Sequence, residues 1–334
     1  AEGRPVAEFG SRRAHGPDGA LLGARASYIA GCSATACTMA DQHYGSPATG
    51  TMAHSWVQMF PDEYTAFKTY CQLYPENAIL LVDTYNVLKS GVPNAIRAFK
   101  EVLEPMGITK CGIRLDSGDL TYLSRKAREM LDEAGLTSCK IFASNALDEY
   151  IIRDLVRQGA RIDSFGVGER LITSRSEPVF GGVYKLVAIE DENGNIIPKI
   201  KISENAAKIT TPHFKKIYRI FSKDTGKAEA DLICLHNEEF DFTQPLELFD
   251  PDATWKRKTY TDYEARELMV PIFLNGELVY QVPDLQASRS YCQRQVDSLW
   301  DEVKRFENPH NYYVDLSQKL WDIKQNLLNS HDMH

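Results

Sequence analysis

No apolar run in this sequence approaches the roughly 20 residues that a helix needs to cross a bilayer. A transmembrane helix is therefore excluded from the expectations. Positive charge is not in surplus: 38 Lys and Arg stand against 46 Asp and Glu, a formal net charge of -8. That balance argues against a general nucleic-acid binder or a membrane-surface binder. It leaves room for anionic small molecules, because a local arginine cluster can act inside an acidic protein. Paired cysteine motifs are also missing. The seven cysteines are scattered and odd in number, and beyond Cys32 and Cys37 no second pair offers zinc-ligand spacing. Reduced thiols in a cytoplasmic protein are the simplest reading. There is no tandem repeat of fixed period, no low-complexity segment and no charged-then-apolar secretion signal. Ala1-Glu2-Gly3 carries no initiator Met, and motif-dense sequence begins by Phe9, so the chain reads as the later part of a longer protein.

What is present is an ordinary globular composition, 43% hydrophobic and 25% charged over 334 residues, enough for a large core and two domains. The stretch Gly50-Thr51-Met52-Ala53-His54-Ser55-Trp56 is mostly apolar, with one imidazole near its exit. Four further apolar runs, over 78–85, 111–119, 140–145 and 162–168, each end in polar or glycine residues that suit phosphate, metal or sugar. Five such runs in order predict a single site built at one end of a sheet.

The runs alternate with helical patterns. An unbroken apolar strand over 78–85, covered on both faces, closes on Asp83 and Thr84. The spacing of Ala95, Ile96, Phe99, Val102 and Leu103 predicts a helix over 93–103, stopped by Gly107. Strands follow at 111–115, 140–143 and 162–167. Helices are expected at 120–134 and 148–158, ended by Gly135 and Gly159. Such alternation implies βαβ units and a parallel sheet whose strands share one C-terminal side. In closed barrels that rim carries the chemistry. Near residue 190 the character changes. Asp191-Glu192-Asn193-Gly194-Asn195 and Asn275-Gly276 are hairpin signals, with strands expected at 210–221, 230–235, 272–274 and 278–280. Helices over 287–306 and 316–328 close the sequence.

Several residues admit two readings. His54 is either a core histidine bonded to backbone or a nucleophile or acid/base at a strand exit. Arg12 and Arg13, in the loop Phe9-Gly10-Ser11-Arg12-Arg13, are either a solvated pair or a clamp for carboxylate or phosphate. In Arg114-Leu115-Asp116-Ser117-Gly118-Asp119, Arg114 and Asp116 alternate along a strand and face one side. Asp116 and Asp119 suit a hydrated Mg²⁺ or sugar hydroxyls. Ser117 and Gly118 would open a helix whose free N–H groups attract an anion. The plainer alternative is helix capping by Asp116 or Ser117. Gly166-Val167-Gly168 is either an ordinary turn or a backbone approach to phosphate, with Arg170, Arg175 and Lys185 nearby in sequence. Gly181-Gly182 is a second flexible point.

Taken together, these segments resemble the nicotinate phosphoribosyltransferases of the type II phosphoribosyltransferase family. The ordered set runs from Phe9-Gly10-Ser11-Arg12-Arg13 through Gly50–Ser55, Val82-Asp83-Thr84-Tyr85, Arg114–Asp119, Ser144-Asn145 and Gly166-Val167-Gly168 to Gly181–Val187, most of the chain. The resemblance implies an α/β fold: an irregular parallel β/α barrel over 1–190, then a β-rich domain with C-terminal helices over 191–334. It implies nicotinate and phosphoribosyl pyrophosphate as substrates, giving nicotinate mononucleotide and pyrophosphate in NAD biosynthesis. It implies ATP as co-substrate, Mg²⁺ as cofactor and a cytoplasmic homodimer with shared sites. His54 matches the histidine that the family phosphorylates. Thr51 and Arg114 would contact nicotinate, and Gly168 with Glu169 would lie against the phosphoribosyl phosphate. Glu169 departs from relatives that carry Thr there, which leaves its backbone amide as the contact. Asp83, Ser117, Gly118, Ser144, Asn145 and Gly166 join the expected substrate contacts. Asp116 and Asp119 join His54 as expected catalytic residues. Family members also carry a substantial N-terminal region before the Phe-Gly-x-Arg-Arg segment. Only eight residues precede Phe9 here. The expectation is an incomplete pocket in this chain alone, with that region a separate chain, cleaved or left out. The rival readings are a nicotinamide-specific relative, a phosphate-binding barrel enzyme of lyase or isomerase type, and an inactive fragment acting as a subunit.

Overall fold

Six short strands form one all-parallel sheet in the first of two compact units, Ala1–Phe180 with Asp284–Cys292. They are β1 (Val6–Glu8), β2 (Ala34–Thr35), β3 (Ile79–Leu81), β4 (Gly112–Leu115), β5 (Lys140–Ala143) and β6 (Ser164–Val167). The structure is a computed structural model and describes residues 1–205 and 208–330. The strand order is β2-β1-β6-β5-β4-β3. Every neighbour of a six-stranded ring is present except β2 beside β3. The last strand returns to the first, as the expected irregular β/α barrel requires, and one seam stays open. A rudimentary strand lies against that seam. Thr35 N–H donates to Pro47 O at 2.9 Å, and Thr49 N–H donates to Thr35 O at 2.8 Å.

Helices surround these strands: α1 (Pro17–Ala30), α2 (Thr38–Tyr44), α3 (His54–Gln58), α4 (Glu63–Leu73), α5 (Val92–Ala98), α6 (Leu120–Glu133), α7 (Glu149–Arg157) and α8 (Glu169–Ile172). Alternation along each strand sends one set of side chains outward to the helices. Leu80, Ile113, Leu115, Ile141 and Phe165 are buried there in one cluster with Phe67, Phe99, Leu103 and Leu131 of the helical layer. Each such side chain contributes about 1.5–3 kcal/mol on burial, so this layer carries most of the unit's stability. The inward set is different. Ala7, Arg114, Phe142, Ser144, Ser164 and Gly166 line a cavity of ≈ 380 Å³. With Phe9, Ile79 and Phe142 forming apolar walls, the small and polar residues among these leave the lumen unfilled, where many barrels pack branched apolar side chains. Gly166 admits the Phe9 ring, since a Cβ there would lie 2.6 Å from it.

The helix expected over 93–103 is longer than foreseen. Wider π turns at Val87–Gly91 and Phe99–Leu103 flank α5. Gly91 makes the first possible, because a Cβ there would sit 1.8 Å from Val82 O. Strand β3 covers only Ile79–Leu81 of the expected 78–85. Beyond Val82 the backbone turns away to place Asp83.

The second unit is Gly181–Pro283 with Gln293–His334. Its main sheet has the order β13-β9-β10-β16, from β9 (Lys215–Ser222), β10 (Ala228–Leu235), β13 (Tyr263–Glu267) and β16 (Tyr313–Leu316). Two-stranded pairs join β7 (Ala188–Glu190) to β8 (Ile196–Pro198), β11 (Leu246–Phe249) to β12 (Arg257–Tyr260), and β14 (Phe273–Leu274) to β15 (Glu277–Leu278). The Asn275-Gly276 signal is met: both residues have positive φ, +50° and +84°, as a two-residue hairpin turn demands. The strand expected from 210 begins at Lys215, after His213 at φ +78°. The expected 287–306 helix is α9 (Leu285–Asp297). It stops early because Ser298 O accepts from the Ala228 N–H at 2.7 Å, which fixes the chain beside β10. Helix α10 (Gln318–Ser330) lies close to the expected 316–328. Among the described residues no helix is long and apolar enough to cross a membrane.

Gly91→Ala should lower the unfolding free energy by about 3 kcal/mol or more, because its new methyl would meet backbone that cannot step aside. Urea titration of the purified variant checks this. A loss below about 1 kcal/mol would show that the π turn opens freely.

Candidate active site

Arg114 leaves β4 pointing into the lumen and is held on three sides. Its Nε donates to Ser144 Oγ at 2.8 Å, Nη1 to Thr51 Oγ1 at 2.8 Å, and Nη2 to Asp116 Oδ1 at 3.0 Å. Ser144 Oγ also donates to Asp116 Oδ1. Arg114 and Asp116 thus share a face, as their alternation predicts. The Phe9 ring centroid lies 5.6 Å from the guanidinium carbon. A guanidinium has five N–H groups. Two therefore stay available to an incoming carboxylate, and the fixed fork needs no reordering to use them.

Asp83 stands next to this cluster, with its side chain only 1% exposed. Oδ1 is 3.0 Å from His54 Nε2. Oδ2 accepts from the Asp116 N–H at 3.1 Å and from Ser117 Oγ at 2.5 Å. The carboxylate, acceptor-only when ionised, accepts a hydrogen bond from Nε2–H and leaves the Nδ1 lone pair free. The ring remains 40% exposed. One buried acid therefore joins the histidine to the Arg114 loop and sets the tautomer.

The positions around His54 correct one expectation. Residues 50–53 form no strand, and His54 is the first residue of α3 instead of the exit of one. This segment lies in the seam between β2 and β3, where it has no ladder partner. Its apolar residues, Met52 and Val57, are buried in the helical layer's core. The Asp116–Asp119 turn decides which residue caps the helix. Asp119, expected to be catalytic, is the cap of α6, its Oδ1 accepting from Tyr122 N–H at 3.0 Å. Neither Asp116 nor Ser117 caps the helix. Ser117 and Gly118 precede it, Gly118 at φ +78°, and Ser117 turns back to Asp83. Asp119 Oδ2 and Asp116 Oδ2 have no protein partner among the described residues.

The remaining expected residues sit around the same rim. Gly168 precedes α8, and Glu169 opens it with an exposed side chain. Gly10 packs so tightly on this turn that a Cβ would lie 2.6 Å from Gly168 O. Arg12 and Arg13 follow in a single 3₁₀ turn, exposed and without an ion pair among the described residues. Asn145 follows β5 at φ +122°, a conformation that Asn tolerates better than most residues. Arg170 is not free for a ligand: it donates to Asp148, the cap of α7. Lys185 and Gly181 belong to the second unit, where both are exposed.

Sequence reasoning missed three contributors. Phe9 was read only as part of a loop motif. Glu8 and Thr35 form a fully buried pair beneath that loop, Thr35 Oγ1 donating to Glu8 Oε2 at 2.6 Å. Both lie on strands of two or three residues, too short for a period-2 pattern to show.

The comparisons with known proteins bear on this arrangement. A family model, the nicotinate phosphoribosyltransferase C-terminal domain, matches residues 214–324. A nicotinate phosphoribosyltransferase of Bacillus subtilis (strain 168) is 48% identical over 317 residues, covering 95% of this chain and 64% of its own length. The nicotinate phosphoribosyltransferase of Homo sapiens is 30% identical over 377 residues, covering 97% of this chain and 68% of its own length. This chain belongs to the nicotinate phosphoribosyltransferase family. The crystal structure of human nicotinic acid phosphoribosyltransferase superposes with a TM-score of 0.74 at 27% identity, over 97% of this chain and 70% of that one. The chain spans less than two thirds of the Bacillus relative's length, at 64%. Membership agrees with the resemblance carried by the motifs, and the barrel-rim cluster is what those motifs build.

The rim's Asp148–Arg170 pair gives a pH prediction. Burial pushes the Asp148 carboxyl up, but the Ile151 N–H and the Arg170 guanidinium outweigh it and leave it below its usual value. A depressed carboxyl adds stability above its unfolded-state value, and that stability is lost as pH falls through the folded-state value. Asp148→Ala should therefore cost about 1 kcal/mol at pH 7, with the gap to the parent chain closing in acid. Urea unfolding of both at pH 7 and at acid pH tests it; a gap that widens on acidification contradicts the assignment.

Proposed function

We propose that this chain carries the catalytic barrel of a nicotinate phosphoribosyltransferase, joining nicotinate to phosphoribosyl pyrophosphate with ATP hydrolysis coupled to the reaction. The observation that carries the reading is the three-sided fixing of Arg114 beside the His54–Asp83 pair. Arg114 receives the nicotinate carboxylate on its two unused N–H groups, with Thr51 and Ser144 holding the fork in place. That contact aims the ring nitrogen at the anomeric carbon of the ribose. Phe9 offers an apolar wall to the ring.

Bond breaking at the anomeric carbon builds positive charge on the ribose and negative charge on the departing pyrophosphate. Asp116, half open at Oδ2, stabilises the first. Arg12 and Arg13 stabilise the second, together with backbone N–H groups at Gly168 and Glu169. His54 attacks the γ-phosphorus of ATP through Nδ1, and ADP departs. Asp83 stabilises the ring as its charge changes.

The donor set suits Mg²⁺, which takes one or two carboxylates and completes its shell from waters and substrate phosphates. Asp116 and Asp119 would hold it through their unpartnered oxygens. Bound there, it would neutralise charge on a pyrophosphate.

The same reading makes the active species a homodimer in the cytoplasm. The family's N-terminal region completes the base pocket, within this polypeptide or as a separate chain.

Incubation with ATP labelled at the γ-phosphate should label this protein, and His54→Ala should abolish both the label and the ATP dependence of nicotinate mononucleotide formation. Label retained in His54→Ala would overturn the histidine's role. A lyase or isomerase would show neither label nor ATP dependence. Arg114→Lys should lower kcat/KM for nicotinate on the order of a hundredfold, because a point charge cannot keep three partners and a carboxylate. Nicotinamide competing as well as nicotinate in the parent chain would favour the amide-specific reading.

A further inference from the structure

We propose that Glu8 is a positioning residue for the Arg12–Arg13 loop, acting through Thr35. The proposal deepens the function given above and rests on it. Glu8 is 0% exposed, which makes it the most deeply buried carboxylate of the barrel. A buried charge is costly unless it is paired or well hydrogen-bonded. No ion pair reaches Glu8 among the described residues. Its oxygens are instead divided between two strand exits. Oε1 accepts from the Gly10 N–H, just after β1. Oε2 accepts from Thr35 Oγ1 at 2.6 Å, at the end of β2, and Thr35 Oγ1 in turn accepts from the Cys37 N–H at 3.0 Å.

The Gly10 end is fixed a second time from the side. A Cβ at Gly10 would lie 2.6 Å from Gly168 O and 2.6 Å from Ile172 Cβ, so the loop has no slack toward the β6–α8 turn. Arg13 N–H then donates to Gly10 O at 2.7 Å and closes the turn that carries both arginines. Their side chains stay exposed, but their backbone origin is set from below by Glu8 and from the side by Gly168. Preset backbone lowers the ordering cost when long side chains close on an anion. Packing alone would be met by a neutral residue. Charge-assisted bonds to two separate backbone exits require an acceptor with two strong oxygens.

The test uses Thr35→Val, which keeps shape and removes the hydroxyl, with Thr35→Ser as the rescue. Two readouts are taken on the full chain: hydrogen exchange of the amides of residues 10–14 without substrate, and steady-state kinetics. Thr35→Val should raise exchange at 10–14 and raise KM for phosphoribosyl pyrophosphate, each about tenfold, as expected for one unsatisfied buried acceptor. KM for nicotinate and kcat should change less than twofold, and Thr35→Ser should restore the parent values. Unchanged exchange at 10–14, or equal rises in both KM values, overturns the proposal. If Thr35→Val does not fold, Glu8→Gln takes its place; the same split supports the proposal and its absence overturns it. No turnover even with the family's N-terminal region supplied would count against the function alone, and the exchange measurement would still decide the positioning role.

Discussion

Three donors from two distant parts of the chain converge on the Asp83 carboxylate: the His54 ring, the Asp116 amide and the Ser117 hydroxyl. Removing it would leave a histidine without a set tautomer and a loop without its anchor. Its burial strengthens each bond, since competing water is absent. Its position follows from β3 and the residue after it: Leu80, Leu81 and Val82 are held in the helical layer's core. Chemistry at the rim thus leans on packing one residue before it. Gly91 contributes to the same end by letting the next helix rest directly on Val82 O.

The barrel solves a placement problem. Arg114 lies on β4 and Gly166 on β6, and Ser144 directly follows β5 with its N–H donating to Leu115 O at 2.9 Å, so ladder bonds fix their relative positions. Thr51 and His54 cannot be placed that way, because they lie in the unpaired seam. They are held by side chains instead: Thr51 through Arg114, His54 through Asp83. Half of the site is therefore backbone-defined, and half depends on polar bonds that form only when the other half is in place.

The sequence disclosed the order of the βαβ alternation from 78 to 167, though not the short extent of β3, because buried parallel strands read as continuous apolar runs. It also disclosed the two hairpins at Asn193-Gly194 and Asn275-Gly276, where turn chemistry is local. It hid β1 and β2, which are too short for any periodicity. It misplaced His54, since an apolar stretch with no ladder partner looks the same on paper as a strand. The cap of α6 stayed open for a related reason: a cap and a ligand use the same residue type, and only the helix start at Leu120 gives the cap to Asp119 instead of Asp116 or Ser117. Glu8 could have been suspected. A lone acid between apolar neighbours, directly before a glycine loop, is a poor surface residue and a good buried acceptor.

The unfilled lumen has a further consequence. Residues one apart on the same strand answer to opposite tolerances. Outward positions such as Ile113 and Ile141 accept changes of shape but not of polarity. Inward positions such as Ser164 and Gly166 accept polarity but not bulk. A library randomised along any one of these strands would therefore return survivors that alternate in character, and the phase of that alternation would mark the wall of the pore without any ligand bound.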